Sequence, residues 1–215
     1  MARPAIVIGL GGTGQWILTF LKKDLLEIGK GEMPAGVKLL SFDTTKHASA
    51  VAGYESKIEK DPNDKRSKKA GAVELEDKVE YIHIGSNLNP LANEIKQKKH
   101  HHLDWFAATD FIRRLPEAAL NADDGAGAIR HVGRLALIAD VQSRANSKIL
   151  STIENAMTRI ATDVGVTVEN RLEILIVGSL AGGTGAGMLV DIPMLCRAAA
   201  AQKFKGNIIV RGFIV

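Results

Sequence analysis

The residues of this chain best suited to do chemistry lie in the stretch Leu172 to Gly187, LEILIVGSLAGGTGAG. Ile174 to Val177 has the length and β-branched content of a buried strand. It runs through Gly178-Ser179-Leu180-Ala181 into the string Gly182-Gly183-Thr184-Gly185-Ala186-Gly187, and residues from Met188 to Gln202 have helix-like content. Strand, glycine turn and helix in that order point backbone N–H groups at an anion. Without side chains in the way, the backbone can wrap a phosphate closely. The string lacks the Lys-Ser/Thr ending of a P-loop, so it predicts a phosphate cradle of another kind.

The same arrangement occurs at the N-terminus. Pro4 to Gly9 (PAIVIG) reads as a short buried strand, followed by Leu10-Gly11-Gly12-Thr13-Gly14 and a helix over Gln15 to Ile28, which Gly29 and Gly31 stop. Gly9, Gly11 and Gly14 also satisfy the dinucleotide spacing G-x-G-x-x-G. Val37 to Phe42 is the next strand, ending in Asp43-Thr44-Thr45-Lys46, where a carboxylate can meet a ribose hydroxyl or a hydrated metal ion, or simply form a turn. Asp123-Asp124-Gly125-Ala126-Gly127-Ala128 is a third small-residue turn, ahead of a helix over Ile129 to Ala145.

These turns need elements to hold them. Val79 to Ile84 alternates as a third strand, Leu91 to Ala119 reads as broken helix, Ile149 to Thr162 as a further helix, and Asn207 to Val215 as a last strand. Pro193 is expected in the first turns of the helix that carries it. Strands alternating with helices predict an α/β fold: a three-layer, Rossmann-like, mostly parallel sheet with helices on both faces. In such a sheet the strand carboxyl ends open on one edge, and ligands bind there. Several glycine turns at one edge suit a nucleoside di- or triphosphate held by backbone amides.

Composition sets outer limits. A chain of 215 residues, 46% hydrophobic and 24% charged, fits one domain with a substantial core, and 5% aromatic residues mean that aliphatic side chains build it. The net charge of +4 sits largely in short runs. One of these, within Glu55 to Lys69, interleaves acids with bases and reads as a solvated loop, so no nucleic-acid partner is expected. The adjacent His100, His101 and His102 do not share a helix face, and no protein-built metal site is expected from them. A single cysteine, Cys196, suits a reducing compartment. With no membrane-length apolar run, a cytoplasmic location follows as the expectation.

Taken together, the turns resemble the tubulin/FtsZ superfamily in its bacterial form. Ala181 to Gly187 is similar to the signature G-G-G-T-G-[ST]-G, with alanine at the first glycine and at the Ser/Thr. Phe42-Asp43-Thr44 resembles the Asn-Thr-Asp turn after the second strand, and Ile82-His83-Ile84-Gly85 the end of the third. Gly125-Ala126-Gly127-Ala128 with Gly133-Arg134 is similar to G-A-G-A-N-P-x-x-G-R. The resemblance implies an N-terminal GTPase-type domain over residues 1–215, with an insertion at about 86–124 and without the family's C-terminal domain. It implies GTP or GDP with Mg²⁺, bound by Gly11, Gly12, Thr13, Gly14 and Gln15, by Asp43, Thr44, Thr45 and Lys46, by Gly125, Ala126, Gly127 and Ala128, and by Ala181, Gly182, Gly183, Thr184, Gly185 and Ala186. Arg134 would support the Gly125 turn or serve a structural role. Gln15 stands where the family places a base-recognising Asn. Self-association, in filaments or as a dimer, is the implied partnership, and hydrolysis would require the family's acidic loop from a second domain. An NAD-binding oxidoreductase using Gly9, Gly11, Gly14 and Asp43 is the alternative, and a non-catalytic interaction module the third reading.

Overall fold

The computed structural model describes residues 3–52, 72–97, 103–107, 114–164, 171–203 and 207–215. The charged run within Glu55 to Lys69 lies outside the described residues, as do the three adjacent histidines. The chain begins with β1 (Ala5–Leu10), α1 (Gly11–Ile28) and β2 (Val37–Asp43). Two short strands follow, β3 (Val51–Ala52) and β4 (Ala72–Val73), which pair antiparallel, and then β5 (Tyr81–His83). Helices α2 (Asn89–Lys96), α3 (Asp104–Ala107), α4 (Arg130–Gln142) and α5 (Lys148–Val164) lead to β6 (Leu172–Gly178). The chain closes with α6 (Gly183–Met188), α7 (Asp191–Lys203) and β7 (Ile208–Ile214).

Five strands form one sheet in the order β5-β2-β1-β6-β7, every neighbouring pair parallel. Alternation along each strand divides the core. Ile6, Ile8 and Leu10 of β1, with Ile174 and Ile176 of β6, face Ile153, Met157 and Ile160 of α5 and Ile192 and Cys196 of α7. Val7, Leu39 and Val177 face the other way, onto Leu18 of α1. The expected α/β architecture with helices on both faces is therefore present.

Several boundaries differ from expectation for local reasons. The first glycine turn is not a loop ahead of a helix but the first turn of α1 itself, which starts at Gly11 after an extended Leu10. The third strand is short because the Glu76 carbonyl accepts the amides of Val79, Glu80 and Tyr81, which draws the start of that segment into a turn. The helix expected from Met188 breaks in two at Leu189 and Val190, and Pro193 falls in the first turn of α7. The start of α5 is capped: the Ser147 hydroxyl accepts from Leu150 N, and the Asp140 carboxylate accepts from Lys148 N, Ile149 N and the Ser147 hydroxyl.

The described residues between 86 and 124 form a side unit with its own neck. Asn87 and Asn121 make an antiparallel bridge, Leu88 N donates to Leu120 O, and Ala122 N donates to Ser86 O. Leu88, Ile95, Leu103, Phe106 and Leu120 of this unit form a second core with Val132 and Leu135 of α4.

Candidate functional site

The winding reverses between β1 and β6. From β1 the chain builds outward to β2 and β5, then returns to place β6 on the other side of β1. The carboxyl ends of β1 and β6 lie side by side, Leu10 opposite Gly178, so their two glycine turns emerge next to each other. A Cβ on Gly11 would lie 2.9 Å from Gly185 N, and the Gly11 backbone has φ +68°. Only glycine fits both the conformation and the contact. On its other flank the signature turn meets the Gly125 turn. Gly183 N donates to Gly127 O at 2.7 Å, and a Cβ on Gly183 would come within 2.7 Å of that same oxygen.

Between these backbones lies a cavity of about 250 Å³ at the sheet's carboxyl edge. From the expected site residues it is lined by Gly11, Gly12 and Thr13, by Asp43 and Thr45, by Gly125, Ala126 and Gly127, and by Gly182 to Gly185. All four turns singled out in the sequence therefore meet at one place. Leu10, Asp124 and Ser179 complete the lining. The expected site residues left these three out, although Asp124 belongs to the third turn and Leu10 and Ser179 adjoin the other two glycine turns. None of the lining residues is lysine or arginine.

Other expected site residues lie outside the lining. Gly14 packs on the backbone of Gly9. The buried Gln15 amide donates to Thr19 Oγ1 at 2.7 Å and to Ser49 O at 2.9 Å. Lys46 pairs with Asp123 at 2.6 Å and with Asp124 at 3.1 Å, and these carboxylates hold its ammonium above its ordinary pKa. Ala128 and Ala181 are exposed. Ala186 lines a separate hollow of about 330 Å³, beside Trp105 and Arg134. There the Arg134 guanidinium lies 4.8 Å from the Trp105 ring centroid and forks onto Asp191, with Nε donating to Oδ2 and NH2 to Oδ1.

Thr44 is fully buried between three of the cavity's walls. Its N–H donates to Asp43 Oδ1 at 2.7 Å, and its carbonyl accepts from His83 Nε2 at 3.0 Å. Its hydroxyl accepts from Ala126 N at 2.9 Å and sits 2.7 Å from the Thr184 hydroxyl. Since His83 Nε2 also faces the Asp123 carbonyl at 3.1 Å, that nitrogen carries the proton. Burial raises the Asp43 carboxyl above its ordinary pKa, against the lowering effect of the Thr45 and Thr44 amides, the Thr184 hydroxyl and His83.

Among the described residues, no group of three or more His, Cys, Asp or Glu is arranged to hold a metal ion unaided. No described helix is long and apolar enough to cross a membrane.

Comparison with known proteins adds the family. Among solved structures the chain is similar to CetZ2 from Haloferax volcanii, described as a GTPγS-bound protofilament, at 16% identity and a TM-score of 0.43. That match covers 98% of this chain and 39% of the other, so the chain spans about two-fifths of the length of that protein. No curated protein matches. A family model described as "Tubulin like" matches residues 6–215, nearly the whole chain, and the chain belongs to that tubulin-like family.

Proposed function

We propose that this chain is the nucleotide-binding domain of a tubulin-like, filament-forming GTPase, and that the cavity between β1 and β6 holds the phosphates of GTP or GDP. The observation that carries the reading is the convergence of four turns, distant in sequence, on one cavity at the switch point of the sheet. The glycine turns from Gly11 and Gly182 offer the chain of phosphate oxygens backbone amides at close approach. Asp43 and Thr45 form the facing wall, and the Gly125 turn closes the end next to Gly183.

The charge of the cavity bears on the cofactor. Its side chains supply two carboxylates, Asp43 and Asp124, and hydroxyls including those of Thr13 and Thr45, but no cation. Hard oxygen donors of this kind fit Mg²⁺, which takes one or two carboxylates and completes its shell with phosphate oxygens and water. Bound there, Mg²⁺ would neutralise phosphate charge that the amides alone leave uncompensated. Asp43 would orient it from the β2 end, with Asp124 on the rim. Lys46 is the nearby cation, and reaching a phosphate would require it to leave Asp123 and Asp124. Turnover, on this reading, depends on an acidic loop supplied by a neighbouring subunit, as the family resemblance implies, so that the domain alone binds nucleotide without cycling it. Filament formation is proposed on the same ground.

The test is nucleotide extraction from the purified protein together with thermal shifts in GTP, ATP and NAD, each with Mg²⁺ and with a chelator. A rise with GTP and Mg²⁺ that the chelator diminishes is the expected result. A rise with NAD alone would transfer the site to a Rossmann oxidoreductase, and no rise with any ligand would leave an interaction module.

A further inference from the structure

We propose that Thr44 acts on the nucleotide without touching it, as the positioning residue that holds three walls of the cavity at the separation a phosphate chain requires. The inference rests on the nucleotide-binding reading above. The sequence places Thr44 among residues expected to contact ligand, yet its side chain is fully buried and each of its polar atoms has a partner inside the protein.

Those partners belong to different elements. Asp43 ends β2 and Thr44 follows it, Ala126 lies in the Gly125 turn, and Thr184 lies in the first turn of α6. The Thr44 hydroxyl accepts from Ala126 N–H at 2.9 Å and shares a hydrogen bond of 2.7 Å with the Thr184 hydroxyl, in which either oxygen can donate. The cluster thus ties the end of β2, the Gly125 turn and the start of α6 together, beside the Asp43 carboxylate that lines the cavity. His83 fixes the same corner from outside, its Nε2–H shared between the carbonyls of Thr44 and Asp123. The Gly125 turn is otherwise tied to the signature turn by Gly183 N–H to Gly127 O. Without the Thr44 hydroxyl, Ala126 N–H is left buried and unpaired and Thr184 loses its neighbour. Relief comes by moving the Gly125 turn away, which widens the cavity before any ligand arrives. A ligand must then reorder the walls as it binds, and its affinity falls by that cost.

The experiment compares wild type, Thr44→Val, Thr44→Ser and the remote core variant Ile160→Val by titration with N-methylanthraniloyl-GTP in Mg²⁺, well below the melting temperature of each. Orphaning one buried donor predicts about tenfold weaker binding for Thr44→Val. Thr44→Ser, which keeps the hydroxyl, should bind within about twofold of wild type, and Ile160→Val should lose stability but not affinity. Thr44→Val combined with Thr184→Val should weaken binding by less than the two single changes summed, because one contact is shared between them. Wild-type affinity in Thr44→Val, equal weakness in Thr44→Ser, or comparable weakening in Ile160→Val would each overturn the positioning role while leaving the nucleotide site intact. Failure of wild type to bind any nucleotide would overturn the site and the positioning role together.

Discussion

Replacing Gly12 with alanine is expected to raise stability and lower nucleotide affinity at once, whereas the same change at Gly11 should unsettle the fold. Both glycines begin α1 and both line the cavity. At Gly12 the nearest atom to an added Cβ is Asp43 Oδ2 at 4.0 Å, and the backbone lies in the ordinary region. A methyl there meets no protein atom closely and removes a glycine from a helix, a gain of about 0.5–1 kcal/mol. For a chain of this size that is a rise in Tm of about 1–4 °C, with the lower end expected because the site is in the first turn. The methyl stands where a phosphate would pass, so affinity falls, and Gly12→Leu should abolish binding while the protein stays folded. At Gly11 the left-handed φ of +68° alone costs an alanine about 1–2 kcal/mol. That corresponds to a loss of about 2–8 °C, before the cost of displacing Gly185 N from 2.9 Å is added. Differential scanning calorimetry and titration with a fluorescent GTP analogue read the two effects separately. A destabilised Gly12→Ala would refute the backbone assignment, and undiminished affinity in Gly12→Leu would refute the claim that this cavity receives the phosphates.

Three further outcomes follow from the same geometry. Asp140→Ala removes the acceptor of two helix-start amides and the Ser147 hydroxyl, and should cost about 1–3 kcal/mol in urea denaturation with nucleotide affinity unchanged; an unaltered midpoint would remove this cap from the account. Burial raises the Asp43 carboxyl above 3.8, so the folded protein holds that proton more tightly than the unfolded chain. The stabilisation from Asp43 is therefore complete below about pH 3.8 and is lost as pH rises through the raised value. Asp43→Asn should accordingly gain on wild type between pH 4 and 7 in denaturation series, and a constant difference across that range would contradict the shift. Burial also pushes the Cys196 thiol up to about 12, so a disulfide reagent at pH 8 should modify it only on unfolding; rapid labelling of the native protein would show that α7 opens.

The sequence displayed the cavity better than it displayed the cavity's supports. Glycine strings are legible because close backbone approach admits no other residue, and Gly11 and Gly183 are tied to that need wherever they sit. The apolar strands are legible for a similar reason, since β1 and the carboxyl end of β6 are buried on both faces and tolerate little else. Thr44 is different. A Thr after an Asp at a strand end looks like a ligand contact, and only the packing of three separate elements turns it inward. The pairing of Arg134 with Asp191 and Trp105 has no local signal either, because its members come from three helices far apart in sequence. The unit at 86–124 reads as interrupted helix because its apolar positions answer to α4, a surface its own period does not reveal.

The place of β1 in the sheet also governs how the chain is made. Ala5 to Leu10 leaves the ribosome well before one of its two partners, Glu173 to Gly178, which lies more than 160 residues further along. At roughly 5–20 residues per second, one edge of that apolar ribbon waits about 10–30 s for its neighbour. Contacts so distant in sequence make for slow closure, and until β6 arrives that edge of β1 stands open to pairing with other chains.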